Sequence, residues 1–101
     1  MNLDLVYYLI LSTVLFGIGL FGALTRRNAV AMLLSIELIM LAVALNFVAC
    51  TKYTGLPEGQ VFAIFIITIA AAEAAVGLAL IITVFRLQKD VDLDKLIILK
   101  G

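Results

Sequence analysis

The sequence contains no histidine and no tryptophan, one cysteine and one proline, and only 14% of its 101 residues are charged. A single Cys50 cannot form a disulfide within the chain, and without histidine the chain offers no ligand set for haem, an iron–sulfur cluster or structural zinc. We therefore expect no cofactor and no metal site in this chain. Seven basic and seven acidic residues cancel, and this balance by itself says nothing about nucleic acid. We expect no nucleic-acid partner.

Apolar residues are abundant instead, at 65% with a mean hydropathy of +1.26, against about 45–50% in soluble domains. About 20 apolar residues are needed for a helix to cross the bilayer. Residues 5–24, 29–50 and 61–85 qualify, and the second and third contain one charge each, Glu37 and Glu73. The sequence therefore predicts an all-α fold, a single integral membrane bundle of three transmembrane helices over residues 1–101, with a short cytoplasmic tail at 86–101.

Six of the seven basic residues lie on one side of the predicted bundle. Arg26 and Arg27 form the first connection, four more follow the third span, and only Lys52 lies on the other side. By the positive-inside rule the arginine pair and the C-terminus face the cytoplasm and the N-terminus faces outside. The first span does not resemble a signal peptide, because Asp4 precedes it and its basic pair follows it.

Small and turn-forming residues mark further features of the chain. Gly17, Gly19 and Gly22 predict a close-packing surface on the first helix. The alanines within residues 70–75 either pack helices closely or leave volume for water. Residues 51–60 predict a surface turn, and the apolar residues of the tail predict contact with a neighbouring subunit or the membrane interface.

Glu37 and Glu73 carry the strongest functional signal. An ionised carboxylate at the centre of a membrane helix costs about 2.5–3.5 kcal/mol, and protonating an ordinary glutamate at pH 7 costs roughly 3.7 kcal/mol. Because the two costs are similar, a small change in hydration or nearby charge can switch the protonation state, as a proton relay requires. Glu73 lies at the centre of its span and Glu37 about 4 Å to the cytoplasmic side of its own, so we expect both at similar depth.

Neither glutamate is part of a polar stripe that reaches a membrane surface. On a helical wheel Glu37 shares its face with Leu33, Met40 and Ala44, whereas Asn46 falls on the opposite side. The face of Glu73 is similarly apolar. The chain alone is therefore not expected to form a channel, and the glutamates are expected to join a path completed by partner subunits.

Five segments of the chain form a recognisable set: TRRN at 25–28, SIEL at 35–38, GQV at 59–61, AAAEAAVGL at 70–78 and LKG at 99–101. Together they resemble one family, subunit K of the proton-pumping NADH:quinone oxidoreductase, respiratory complex I, called 4L in mitochondria. The resemblance covers nearly the whole chain, and its most specific motif is the alanine-flanked Glu73.

The resemblance implies a place in the membrane arm of an enzyme that oxidises NADH, NADPH or ferredoxin and reduces quinone. Partners would be the quinone-site subunit, antiporter-like subunits, other small membrane subunits and the lipid bilayer. Quinone, flavin and iron–sulfur clusters would be bound by those partner subunits. Glu37 and Glu73 would belong to a proton relay and Arg26 and Arg27 to a cytoplasmic basic pair, in an energy-transducing membrane such as the bacterial plasma membrane.

Two alternatives remain open at the level of sequence. The small subunit of multi-component sodium/proton antiporters has the same three-span plan and also uses a mid-membrane glutamate. A structural or assembly subunit would use its glutamates only to hold helices together.

Overall fold

The computed structural model describes residues 3–100, which form three α-helices. Helix α1 spans Leu3–Thr25, α2 spans Ala29–Thr54 and α3 spans Glu58–Lys100. Each is long and apolar enough to cross a membrane, and no strand occurs in this range, which confirms the predicted all-α membrane fold. Residues 1, 2 and 101 lie outside the described residues. Which side of the membrane each end of the chain faces stays a prediction.

Capping residues define both connections between helices. The Asn28 side-chain oxygen accepts hydrogen bonds from the backbone N–H groups of Val30 at 2.8 Å and Ala31 at 3.4 Å, and so caps the N-terminus of α2. Gly55 caps the C-terminus of α2. Its φ of 74° is the left-handed conformation that glycine tolerates, and the Gly55 N–H donates to the Thr51 carbonyl oxygen. The second connection is thus 55–57, shorter than the predicted 51–60, because helical hydrogen bonding continues up to that glycine.

Helix α3 is longer than the predicted third span. It begins just after Pro57 and continues through the segment predicted as a tail, as one helix of 43 residues, about 65 Å long. Residues 78–100 contain neither glycine nor proline and are rich in leucine, isoleucine and lysine, so no residue interrupts the helix. Residues 86–100 of the predicted tail therefore prolong α3 as helix.

Helix α2 lies between the other two helices in an antiparallel row. It packs against α1 and against α3, and no contact joins α1 to α3 within residues 3–100. The row measures 74 × 25 × 12 Å. Few side chains are buried, nearly all of them small, and many leucine, isoleucine and phenylalanine side chains are exposed. Such a broad apolar surface is typical of a chain that is covered by lipid and by other subunits.

The α1–α2 interface confirms the predicted close packing at two of three glycines. A Cβ atom added at Gly19 would lie 2.8 Å from both the Ser35 carbonyl oxygen and the Ile39 side chain, and one added at Gly22 would collide with the Ser35 hydroxyl. Gly17 has no such neighbour within 4 Å, so it takes no part in the α1–α2 packing, and its place in a close-packing surface stays a prediction. The helical step carries it to the exposed side of α1.

Candidate functional site

The two sides of α2 meet different helices, and each side carries a stripe at seven-residue spacing. Ser35 packs against α1, and Ala42 and Ala49 share its face; all three are buried. Thr51 packs against Gly59 of α3. The same spacing back from Thr51 reaches Ala44 and then Glu37, which places Glu37 on the side of α2 that faces α3.

Glu37 is half-buried, and its Oε1 atom is buried without a hydrogen-bond partner among the described residues. The Thr51 hydroxyl, on the same side of α2, also lacks a partner. Six other Ser and Thr hydroxyls, spread over the three helices, donate to carbonyl oxygens four residues earlier in their own helices, at Thr13, Thr25, Ser35, Thr54, Thr68 and Thr83. A buried carboxyl oxygen without a partner is costly in an apolar surrounding. A hydrogen-bond donor from outside this chain would relieve that cost.

Glu73 lies beside the α2-facing stripe of α3 and is exposed. That stripe consists of Ala63 and Ala70, which are buried, and Gly77, where an added Cβ would lie 3.2 Å from Leu33 of α2. Of the alanines that surround Glu73, Ala70 therefore packs against α2, whereas Ala71, Ala72 and Ala75 are exposed. The alanine run therefore packs against α2 at Ala70. Its exposed members have small side chains that leave the surface around the Glu73 carboxyl group open.

Glu37 and Glu73 lie at the same level of the α2–α3 pair. Leu33 faces Gly77 and Thr51 faces Gly59, which fixes the antiparallel register. Glu37 follows Leu33 by four residues, and Glu73 precedes Gly77 by four residues. In antiparallel helices these two steps run in the same direction, so the two glutamates lie opposite each other in height. No hydrogen bond between the two glutamates occurs in the described part of the chain. The chain thus brings two titratable groups to one height and leaves them unconnected by its own side chains.

The arginine pair lies at the end of the bundle remote from Lys52. Arg26 and Arg27 occupy the exposed connection between α1 and α2. Ala29, at the start of α2, lines one groove with residues 80–88 of α3. Arg86 and the C-terminal part of α3 therefore lie at the same end of the bundle as the arginine pair. Within residues 3–100 no three histidine, cysteine, aspartate or glutamate side chains are grouped as metal ligands.

Comparison with known proteins identifies the family of this chain. The family model described as NADH-ubiquinone/plastoquinone oxidoreductase chain 4L matches residues 7–101. The chain belongs to this family. It is 52% identical to NADH-quinone oxidoreductase subunit K of Bordetella pertussis and 48% identical to that of Phenylobacterium zucineum, with all of each chain covered. It is 50% identical to subunit K of a Geobacillus species, over 94% of this chain and 93% of the relative.

Family membership confirms the resemblance seen in the sequence and gives the site its setting. Members of the chain 4L family are subunits of an oxidoreductase complex, so the exposed surfaces described above belong to an assembly and not to an isolated chain. The three helices contain the membrane segment of this subunit.

Sequence reasoning missed one polar contact. The Ser12 hydroxyl of α1, with the residue 3% exposed, donates to the Asn46 side-chain oxygen of α2 at 2.6 Å. The helical wheel placed Asn46 opposite Glu37, and the structure confirms it. A serine and an asparagine inside two predicted membrane spans were the available signal, since polar side chains in lipid pair across helices.

Proposed function

We propose that Glu37 and Glu73 form a segment of a lateral proton or charge relay in the membrane arm of a proton-pumping NADH-quinone oxidoreductase. The observation that carries this proposal is the pair of carboxyl groups at one height, one half-buried with an unpartnered oxygen and one exposed on the neighbouring helix. A relay needs groups whose protonation responds to their surroundings, and unsatisfied or intramembrane carboxyls meet that need.

The difference in exposure suggests a direction for the relay. Glu37 receives a change in charge or hydration inside the α2–α3 interface, and Glu73 presents the response at the surface of α3. An exposed carboxylate is too costly against lipid tails, so Glu73 faces a partner subunit or a hydrated cavity. Partners in this proposal are the quinone-site subunit on one side and antiporter-like subunits on the other, together with other small membrane subunits.

The redox chemistry in this proposal takes place in the partner subunits. They bind the flavin, the iron–sulfur clusters and the quinone, and reduction of quinone there perturbs Glu37. The basic pair Arg26 and Arg27 faces the cytoplasm. Because the relatives are bacterial proteins, the proposed location is the bacterial plasma membrane.

Replacement of Glu73 by glutamine tests the relay, since it keeps the size of the side chain and removes its titration. In membranes that contain the assembled complex, Glu73→Gln should lower proton translocation per quinone reduced, at least about threefold in this proposal. Glu58→Gln is the matched control, because Glu58 is exposed at the start of the same helix and should leave pumping unchanged.

Full pumping in Glu73→Gln, with assembly shown intact, contradicts a relay role for this residue. If glutamine at both Glu37 and Glu73 left coupled activity near normal while alanine at either lowered assembly, the glutamates would serve only to hold helices together.

A further inference from the structure

Helix α3 extends well beyond the ends of the other two helices. The start of α2, at Ala29, lies level with residues 80–88 of α3, so residues 89–100 project about 18 Å further along the axis of α3. Every residue from 82 to 100 is exposed. The molecule measures 74 Å along its length against 25 and 12 Å across, so this extension continues along the bundle axis and does not turn sideways.

One face of the extension carries apolar and acidic side chains and no basic ones. Its members recur at intervals of three and four residues, which places them on about one third of the helix circumference. All four basic residues of 86–100 fall on the rest of the circumference. The members of this face, called the acidic face below, are Leu87, Asp90, Val91, Asp94, Ile97 and Ile98.

The apolar members of the acidic face form a surface that contacts another molecule. Leu87, Val91, Ile97 and Ile98 are between 50% and 76% exposed, so no described part of this chain covers them. Apolar side chains grouped on an exposed surface mark a site of interaction. Since the extension projects beyond α1 and α2, the covering molecule comes from outside the described bundle.

The two carboxylates of the acidic face favour a positively charged partner. Asp90 and Asp94 are four residues apart, and like charges at this spacing weaken a helix. Asp94 has no basic residue three or four positions away, whereas Asp92, which lies off the acidic face, has Lys89 and Lys95 each three positions away. Asp94 is therefore the carboxylate that a cation from another molecule would stabilise most.

These features favour a protein over a lipid surface as the partner. Residues 78–100 contain neither glycine nor proline, so no kink brings α3 down onto the membrane. A membrane surface with anionic lipids would also repel the acidic face. The positive-inside rule places lysine and arginine at this end of membrane helices in general, so helices of neighbouring subunits offer the required charge.

We propose that the acidic face of α3 binds a membrane helix of another subunit of the complex, with a lysine or arginine of that helix paired to Asp94. Toward the membrane the face continues at seven-residue spacing through Leu87 and Leu80 to Glu73, all exposed. Seven-residue spacing is the pattern by which two helices pack side by side, so one partner helix covers the extension and runs past Glu73. This pairing follows from membership of a multi-subunit complex and does not depend on a relay role for Glu73.

Photocrosslinking in membranes that contain the assembled complex tests which molecule covers the acidic face. A photoreactive phenylalanine analogue at Val91 should crosslink to one other membrane subunit, and the same analogue at Leu96 should lose that crosslink. The two positions are matched, since they are 50% and 53% exposed and lie on different sides of the helix. A crosslink from Val91 to lipid or to a subunit without membrane helices, equal crosslinking from both positions, or no crosslink at all overturns the proposal.

Charge reversal in the same assay tests the pairing at Asp94. With the analogue at Val91, Asp94→Lys should lower the crosslink yield per assembled complex at least about threefold, because like charges then meet at the interface. Asp92→Lys is the matched control and should leave the yield unchanged. Where Asp94→Lys prevents assembly, Asp94→Asn keeps the size of the side chain and should lower the yield less. A yield equal to that of the native complex in the assembled Asp94 variant overturns the pairing.

Discussion

The two interfaces of α2 are built from similar small residues but treat polar groups differently. Toward α1, the Ser12 hydroxyl donates to the Asn46 side-chain oxygen, and the Ser35 hydroxyl donates to a carbonyl oxygen of its own helix. Toward α3, the buried Oε1 of Glu37 has no partner among the described residues. A polar group in an apolar surrounding is normally paired. The second interface therefore differs in leaving a carboxyl oxygen of Glu37 and the hydroxyl of Thr51 without a hydrogen-bond partner among the described residues.

In the proposed relay, this difference separates a polar contact that holds helices together from a polar group that acts with partner subunits. The serine–asparagine contact joins α1 to α2 in one register. The buried Oε1 of Glu37 is left for a hydrogen-bond donor outside this chain. Variants of the two interfaces should therefore differ in kind, in coupling on the α3 side and in assembly on the α1 side.

The largest expected effect is on the α3 side, at Glu37. Glu37→Gln removes titration at the more enclosed carboxyl group, and we expect proton translocation per quinone reduced to fall at least about tenfold. Asn46→Leu, which removes the polar group from the opposite face of α2, should leave translocation per assembled complex unchanged. Proton uptake by membrane vesicles during quinone reduction measures both, and comparable losses in the two variants would erase the distinction between the interfaces.

The next effect is steric and lies on the α1 side. Gly19→Ala places a methyl group 2.8 Å from a backbone oxygen of α2, which cannot move without shifting the helix, so we expect a loss of about 1–3 kcal/mol in stability. The amount of assembled complex and its thermal midpoint in detergent report this loss.

Gly17→Ala is the matched control for that prediction, since the added methyl group meets nothing within 4 Å. It should be neutral or slightly stabilising, because alanine favours helix over glycine. Equal loss in both variants would mean that packing at Gly19 is not the cause.

A smaller steric effect is expected at the other interface. Gly77→Ala brings a methyl group to 3.2 Å from the end of the Leu33 side chain, which can change rotamer, so the cost in stability should stay below about 1 kcal/mol. The same thermal measurement applies. A cost as large as that of Gly19→Ala would show that the α2–α3 interface is as rigid as the α1–α2 interface.

The smallest effect is expected from the polar pair itself. A double-mutant cycle with Ser12→Ala and Asn46→Ala should give a coupling energy of about 0.6 kcal/mol, the average for hydrogen bonds between membrane helices. The Ser12 hydroxyl also lies 3.0 Å from the Leu9 carbonyl oxygen, and that second acceptor limits the loss. A coupling energy of zero would mean that side-chain packing alone fixes the register of α1 against α2.

Much of the fold was predictable because lipid imposes strong rules on sequence. Helical spans follow from the length of apolar runs, and the depth of Glu37 and Glu73 follows from the rise of a helix. The continuation of α3 to Lys100 was not predicted, because residues 86–101 were considered only as a tail beyond the membrane span. Charge ends a membrane span but does not interrupt helical hydrogen bonding, and residues 86–100 contain no residue that does.

The sequence by itself determined three membrane helices, two intramembrane carboxyl groups at one depth, and membership of the chain 4L family through motifs that cover nearly the whole chain. Only the tertiary structure decided that α2 lies between α1 and α3, and that Glu37 faces the α3 side while Glu73 is exposed. The physical reason is that these helices are apolar on every side. In lipid, hydrophobicity does not select the face that packs, so small side chains and a few polar contacts fix it.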